Sequence, residues 1–130
     1  MSQKALTLIL ARELAANLAT PMFLIDAVGQ LVFFNEAAEQ IIGQTWADVG
    51  EISVLEFGAM LDTQDADGNK LRRRDTPTSV SFNERRPAHR LMRARVAGGD
   101  HALVEVTSYP LFAKTDEMHG VVTIFWTVPS

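Results

Sequence analysis

The chain has 130 residues, 47% apolar and 22% charged, with a formal net charge of −4 and no cysteine. This length makes one domain with a real core, and the composition excludes a disordered or low-complexity protein. The missing thiols exclude disulfides, thiolate metal sites and a cysteine nucleophile, and leave the redox compartment unread.

Residues 5–19 are strong helix formers with Leu6, Leu10, Leu14 and Leu18 at four-residue spacing. That spacing drifts around a helix axis, so it predicts an amphipathic helix and not a long coiled coil. Arg12 and Glu13 break the apolar run ALTLILA, which has neither the length of a membrane span nor the layout of a signal peptide. A cytoplasmic location without a membrane partner is the expectation. Pro21 ends the helix, because Thr20 before it is pushed out of helical geometry.

MFLID and QLVFF read as two strands, and the DAVG between them supplies Asp and Gly for a tight turn. Asn35 is placed to cap the helix EAAEQII, and Gly43 to end it in the left-handed conformation. Thr45 to Asp48 and Ser53 to Glu56 each have capping-box spacing, which predicts two more short helices. The loop TQDADGN follows, and Thr76-Pro77 then opens a helix over PTSVSFNER. After Pro87 the pattern changes to period two. HRLMRARV and HALVEVTSY form a hairpin across AGGD, and GVVTIFWTV is apolar on both faces. A strand of that kind needs two covers, and the N-terminal helix or a second copy of the chain would supply the outer one.

Between residues 70 and 95 lie Lys70, Arg72, Arg73, Arg74, Arg85, Arg86, Arg90, Arg93 and Arg95, against only Asp75 and Glu84. The rest of the chain is strongly acidic and carries no nucleic-acid motif. The segment therefore reads as a solvated face paired with the protein's own carboxylates, with no direct nucleic-acid partner.

The stretch FLIDAVGQLVFFNEAAEQIIG resembles the opening of the PAS family, in which a strand ends in Asp, Gly turns it, and Asn begins the first helix. DADGNKLRRRDTPTSVSFNERRP resembles the family's middle segment, and VEVTSYPLF and GVVTIFW its last strands. The likeness runs from Pro21 to Val128. It departs at Arg85, where many members have Gly, and at Thr127, Val128 and Pro129, where the family carries an Asp-Ile/Val-Thr triplet that couples to a following domain. The resemblance implies an α+β fold: a five-stranded antiparallel sheet with short helices on one face, preceded by an amphipathic helix. It also implies a sensory or signalling function, through a small apolar ligand or through dimerisation, with an effector domain or signalling partner downstream. Residues 1–20 would be the dimerising or sheet-covering helix and residues 21–130 the sensory domain.

Alternation and helix spacing gather Phe23, Ile25, Val32, Phe34, Met92, Val104, Val106, Thr123 and Phe125 on one sheet face, with Phe57, Met60 and Phe82 on the covering helices. This enclosure is either a ligand pocket or a filled core. Its candidate ligand-binding residues are Phe23, Ile25, Phe34, Phe57, Met60, Phe82, Met92, Val106, Thr123 and Phe125. Leu6, Leu10 and Leu14 with Val122, Ile124 and Trp126 form the candidate homodimer interface. The cofactor stays unknown. The family's cysteinyl-flavin chemistry needs a Cys that is absent, and its haem branch uses a His on the helix that here reads PTSVSFNER. His89, His101 and His119 are too dispersed for a metal site, and TQDADGNKLRRR lacks the Glu that closes a calcium loop. No nucleophile or phosphate-loop motif occurs. The expectation is a non-enzyme, with Asp26 and Tyr109 the acid and base of a remote isomerase-like alternative and a ligand-free docking module the nearer one.

Overall fold

The computed structural model describes residues 3–114 and 116–129, with backbone alone for residues 3–6 and Lys114. In chain order the elements are α1 (Gln3–Ala16), β1 (Met22–Asp26), β2 (Gln30–Phe34), α2 (Glu36–Ile42), α3 (Trp46–Val49), β3 (Ile52–Ser53) and α4 (Val54–Leu61). Then come β4 (Gln64–Asp65), a 3-10 turn (Arg73–Asp75), α5 (Pro77–Glu84), β5 (Ala88–Arg95), β6 (His101–Lys114) and β7 (Glu117–Thr127). The strands form one antiparallel sheet in the order β3-β2-β1-β7-β6-β5-β4. It has seven strands and not the expected five, because β3 and β4 add a rung at each edge. Two residues are too short for any periodicity to announce them.

The helix boundaries follow from their caps. Asn35 accepts the amide of Ala38, Thr45 that of Asp48, Ser53 that of Glu56 and Thr76 that of Ser79, with Pro77 in the first turn of α5. Gly43 ends α2 at φ 81°, and a Cβ there would also press on Ala97 of the β5–β6 turn. The Asp26 carboxylate accepts the amides of Val28 and Gln30, which closes the first hairpin. In the loop after β4, Asp65 accepts the amides of Asn69 and Asp67, and these bonds, that from Asn69 foremost, hold its carboxyl below the usual carboxylate range.

Arg85 ends α5 at φ 58°, in the left-handed region. This is the position where the resemblance sets a glycine, and a side chain there is strained by about 1 kcal/mol. The guanidinium recovers part of that through a 2.8 Å exposed bond to the Asp116 carbonyl. Arg85→Gly should therefore raise the unfolding free energy by about 0.5 kcal/mol, readable as a shift of the urea midpoint at constant slope.

One departure from strict alternation shapes the core. β1 pairs Leu24 with Phe33 but Ile25 with Leu31, so Val32 is bulged out of register. Leu31 and Phe34 enter the core, and Val32, expected inside, does not. Around them the inner face of the sheet gathers Phe23, Ile25, Met92, Val104, Val106, Val121 and Phe125 under Ala38, Ile42 and Phe57 of α2 and α4. α5 lies across β5, β6 and β7.

On the opposite face α1 packs over β1 and β7, where Met22, Leu24 and His119 are buried. It does so through its small side. Ala15 is fully buried, Thr7 Oγ1 lies 2.7 Å from Nδ1 of the buried His119, and Leu8 packs at Gly120. Gly120 leaves no room for a Cβ, which would strike the Ile25 carbonyl. The leucine stripe faces away: Leu10 and Leu14 are 61% and 62% exposed. Leu6 belongs to the same helix, but its side chain lies outside the described residues. Among the described residues no helix is long and apolar enough to cross a membrane.

Candidate functional site

Between the inner sheet face and the helices lies a partly enclosed cavity of about 70 Å³, lined almost wholly by apolar atoms. Phe23, Met92, Val104, Val106 and Phe125 form its sheet wall, Ile41 and Ile42 of α2 and Leu61 of α4 its roof, and Pro77 and Thr78 of α5 its side. Native interiors hold few voids larger than a water molecule, and an empty apolar one of this size costs on the order of 1.5 kcal/mol. It has about half the volume of an apolar cavity known to admit benzene.

A larger groove of about 340 Å³ adjoins it between α4 and the segment leading into α5, sharing Phe23, Leu61 and Thr76. Phe57 stands in its wall, edge-on to Phe23 at 5.1 Å and stacked with Phe34 at 6.0 Å. The rim of this groove is polar and carries Asp62, Lys70 and Arg73.

The candidate pocket residues divide among these spaces. Phe23, Met92, Val106 and Phe125 line the cavity, and Phe57 lines the groove. Ile25 and Phe82 border a separate surface cleft between the first hairpin and α5, and Met60 borders a crevice beside the β5–β6 turn. Phe34 is packed solid between Phe57 and Trp46.

Thr123 joins a buried hydroxyl seam. Its Oγ1 lies 2.8 Å from that of Thr78, and one turn along α5 Ser81 Oγ lies 2.7 Å from Ser108 Oγ. Ser108 Oγ is also 2.6 Å from the Pro77 carbonyl and Ser81 Oγ 2.8 Å from that of Arg86. Two serine protons serve three short contacts, so one contact is always without a proton. Sequence reasoning missed the roof of the cavity. The Ile41-Ile42 pair before Gly43 was its signal, an apolar doublet on a helix otherwise made of small and polar residues.

His89 lies outside this enclosure, with Nδ1 2.6 Å from Thr107 Oγ1 and Nε2 2.7 Å from Glu105 on the other sheet face. Asp26 and Tyr109 do not meet at the cavity: the carboxylate is spent on its turn and the phenol is 41% exposed. Val122 and Ile124 are half-buried and Trp126 is exposed on the outer face of β7. Beside them α1 presents Leu10 and Leu14 to solvent.

The family model for the PAS fold matches residues 10–126. The chain belongs to the PAS family, a family of sensory and signalling modules that are generally not enzymes. Among solved structures it is similar to a PAS domain from Colwellia psychrerythraea, at 14% identity over 93% of this chain and 96% of that one, with a TM-score of 0.66. The PAS domain of nitrogen regulation protein NR(II) from Vibrio parahaemolyticus matches at 15% identity, over 92% of this chain and 98% of that one, with a TM-score of 0.62. A LOV protein of Rhodobacter sphaeroides matches at 15% identity, over 98% of this chain and 69% of that one, with a TM-score of 0.65. At these identities the likeness is one of fold. No curated protein matches the chain.

Proposed function

We propose that this PAS domain is a cytoplasmic, non-enzymatic sensor that takes a small apolar ligand between sheet and helices and relays its presence through a homodimer. The observation that carries this reading is the apolar cavity between sheet and helices, a space that ordinary packing would have filled. A ligand can shift the protein only by its differential affinity for two sheet arrangements, so the wall formed by Phe23, Met92, Val106 and Phe125 is where sensing would begin.

Support for the dimer comes from the outer side. Leu10 and Leu14 stand out from a helix already docked on the sheet, and Trp126 is exposed nearby on β7 with Val122 and Ile124 half-buried. On this reading residues 1–20 dimerise and cover the sheet, residues 21–130 sense, and an effector domain or signalling partner receives the output by protein contact without nucleic acid. A ligand-free docking module would use the same surface with the cavity left empty.

Native mass spectrometry of protein purified without added ligand should show an excess mass alongside the apo mass. A clean apo mass, with no thermal shift across a panel of small apolar compounds, would leave only the docking module. In light scattering, Leu10→Glu and Trp126→Glu should each turn a dimer into a monomer, and an unchanged mass in both removes this interface.

A further inference from the structure

The cavity and the groove adjoining it differ in charge. At the cavity's end beside the β5–β6 turn stands Arg95, whose guanidinium lies 3.5 Å from the Asp62 carboxylate, and His101 Nε2 meets the same carboxylate at 3.0 Å. Charge is balanced there. The adjoining groove carries Lys70 and Arg73 as well as Asp62, and with Asp62 engaged by Arg95 and His101, neither cation has an ion-pair partner among the described residues. Of the acids close to them in sequence, Asp75 pairs with Arg72 at 2.9 Å and Asp65 accepts the amides of its own turn, while Asp67 makes no ion pair with either cation. Two cations without an ion-pair partner thus stand on the rim of a groove that shares Phe23 and Leu61 with the apolar cavity.

We propose that the ligand of this domain is an anionic amphiphile, a free alkyl carboxylate whose hydrocarbon lies along the apolar wall of the groove, against Phe23, Leu55, Phe57 and Leu71, and whose head remains on Lys70 and Arg73. The inference rests on the reading of the space between sheet and helices as a ligand site and adds the chemistry of the head group. Each methylene drawn out of water contributes about 0.8 kcal/mol, and a guanidinium can hold a carboxylate through two parallel bonds. An apolar compound without the charge would gain only the first of these. A short anion without the chain would gain only the second, at a site open to water and salt.

Isothermal titration of the full chain with decanoate and with decanol separates these contributions. Decanoate should bind at least tenfold more tightly than decanol, and raised ionic strength should narrow the gap. The double variant Lys70→Gln/Arg73→Gln should bring the two affinities within about twofold of each other, with decanol binding unchanged. Both residues are exposed, so circular dichroism should show the variant folded as the wild type. Equal affinity of the wild type for both compounds overturns the anionic head and leaves the apolar site standing. A decanoate preference that survives the double substitution overturns the assignment to Lys70 and Arg73. Binding of neither compound removes the ligand site itself and this proposal with it.

Discussion

Replacing Asn35 with alanine should lower the unfolding free energy by about 4 kcal/mol, an effect read from the urea midpoint at unchanged slope. The side chain is buried, and both ends of its amide are in use. Oδ1 accepts the amides of Ala38, the N-terminal cap of α2, and of Met22 at the start of β1. Nδ2 donates to the carbonyls of Ala15 and Thr20, 2.9 and 2.8 Å away, where α1 runs into β1. Loss of the cap alone costs about 1 kcal/mol. The remainder comes from an amide and two carbonyls deprived of their partner, at about 1 to 3 kcal/mol each where water cannot reach them. Asn35→Asp divides the two halves. It keeps the acceptor but turns a carboxylate toward the carbonyls of Ala15 and Thr20, so it too should destabilise, and a neutral result would show that the donor half contributes nothing.

Phe57→Ala should cost a similar amount, about 4 kcal/mol, by a different mechanism. Phe57 is 1% exposed and is the side chain through which α4 enters the core. It meets Phe23 edge-on and stacks on Phe34 with 14° between the ring planes. Deleting it opens the groove wall onto the interior, and the loss of transfer energy is joined by that of the cavity left behind. A double-mutant cycle with Phe34→Ala should give a coupling of about 1 kcal/mol, the part owed to the ring pair and not to burial. Additive costs would mean that the two rings are merely neighbours.

The caps were legible because each is a local bargain between one polar side chain and amides a few residues on. Asn35, Thr45, Ser53 and Thr76 sit where their spacing puts them, and Gly43 takes the left-handed turn that no other residue adopts so readily. The links of Asn35 back to Ala15 and Thr20 were not legible, since they join residues twenty and fifteen positions apart. Nor was the bulge at Val32: the run QLVFF alternates no more clearly one way than the other, and the choice belongs to the partner strand.

The helix α1 shows the same limit. Its leucines stand out in the sequence, yet a helix can approach a sheet closely only over small groups, and here Ala15 and Gly120 permit that approach while Leu10 and Leu14 turn outward. For the enclosure, the sheet wall was readable from period two, whereas the roof depended on how α2 and α4 are tilted. Tilt is decided by packing between distant segments and leaves no signature in either one.

The hydroxyl seam under α5 decides which wall of the enclosure can give way. Sliding α5 by one residue would part Thr78 from Thr123 and Ser81 from Ser108 at once, all four sealed from water. That makes α5 the fixed jaw. The C-terminus of α4 is held by the half-exposed contacts of Asp62 with His101 and Arg95, pairs that contribute little in solvent. Of the two walls, the C-terminal end of α4 beyond Phe57 is therefore the less firmly tied, and the jaw opposite keeps its register.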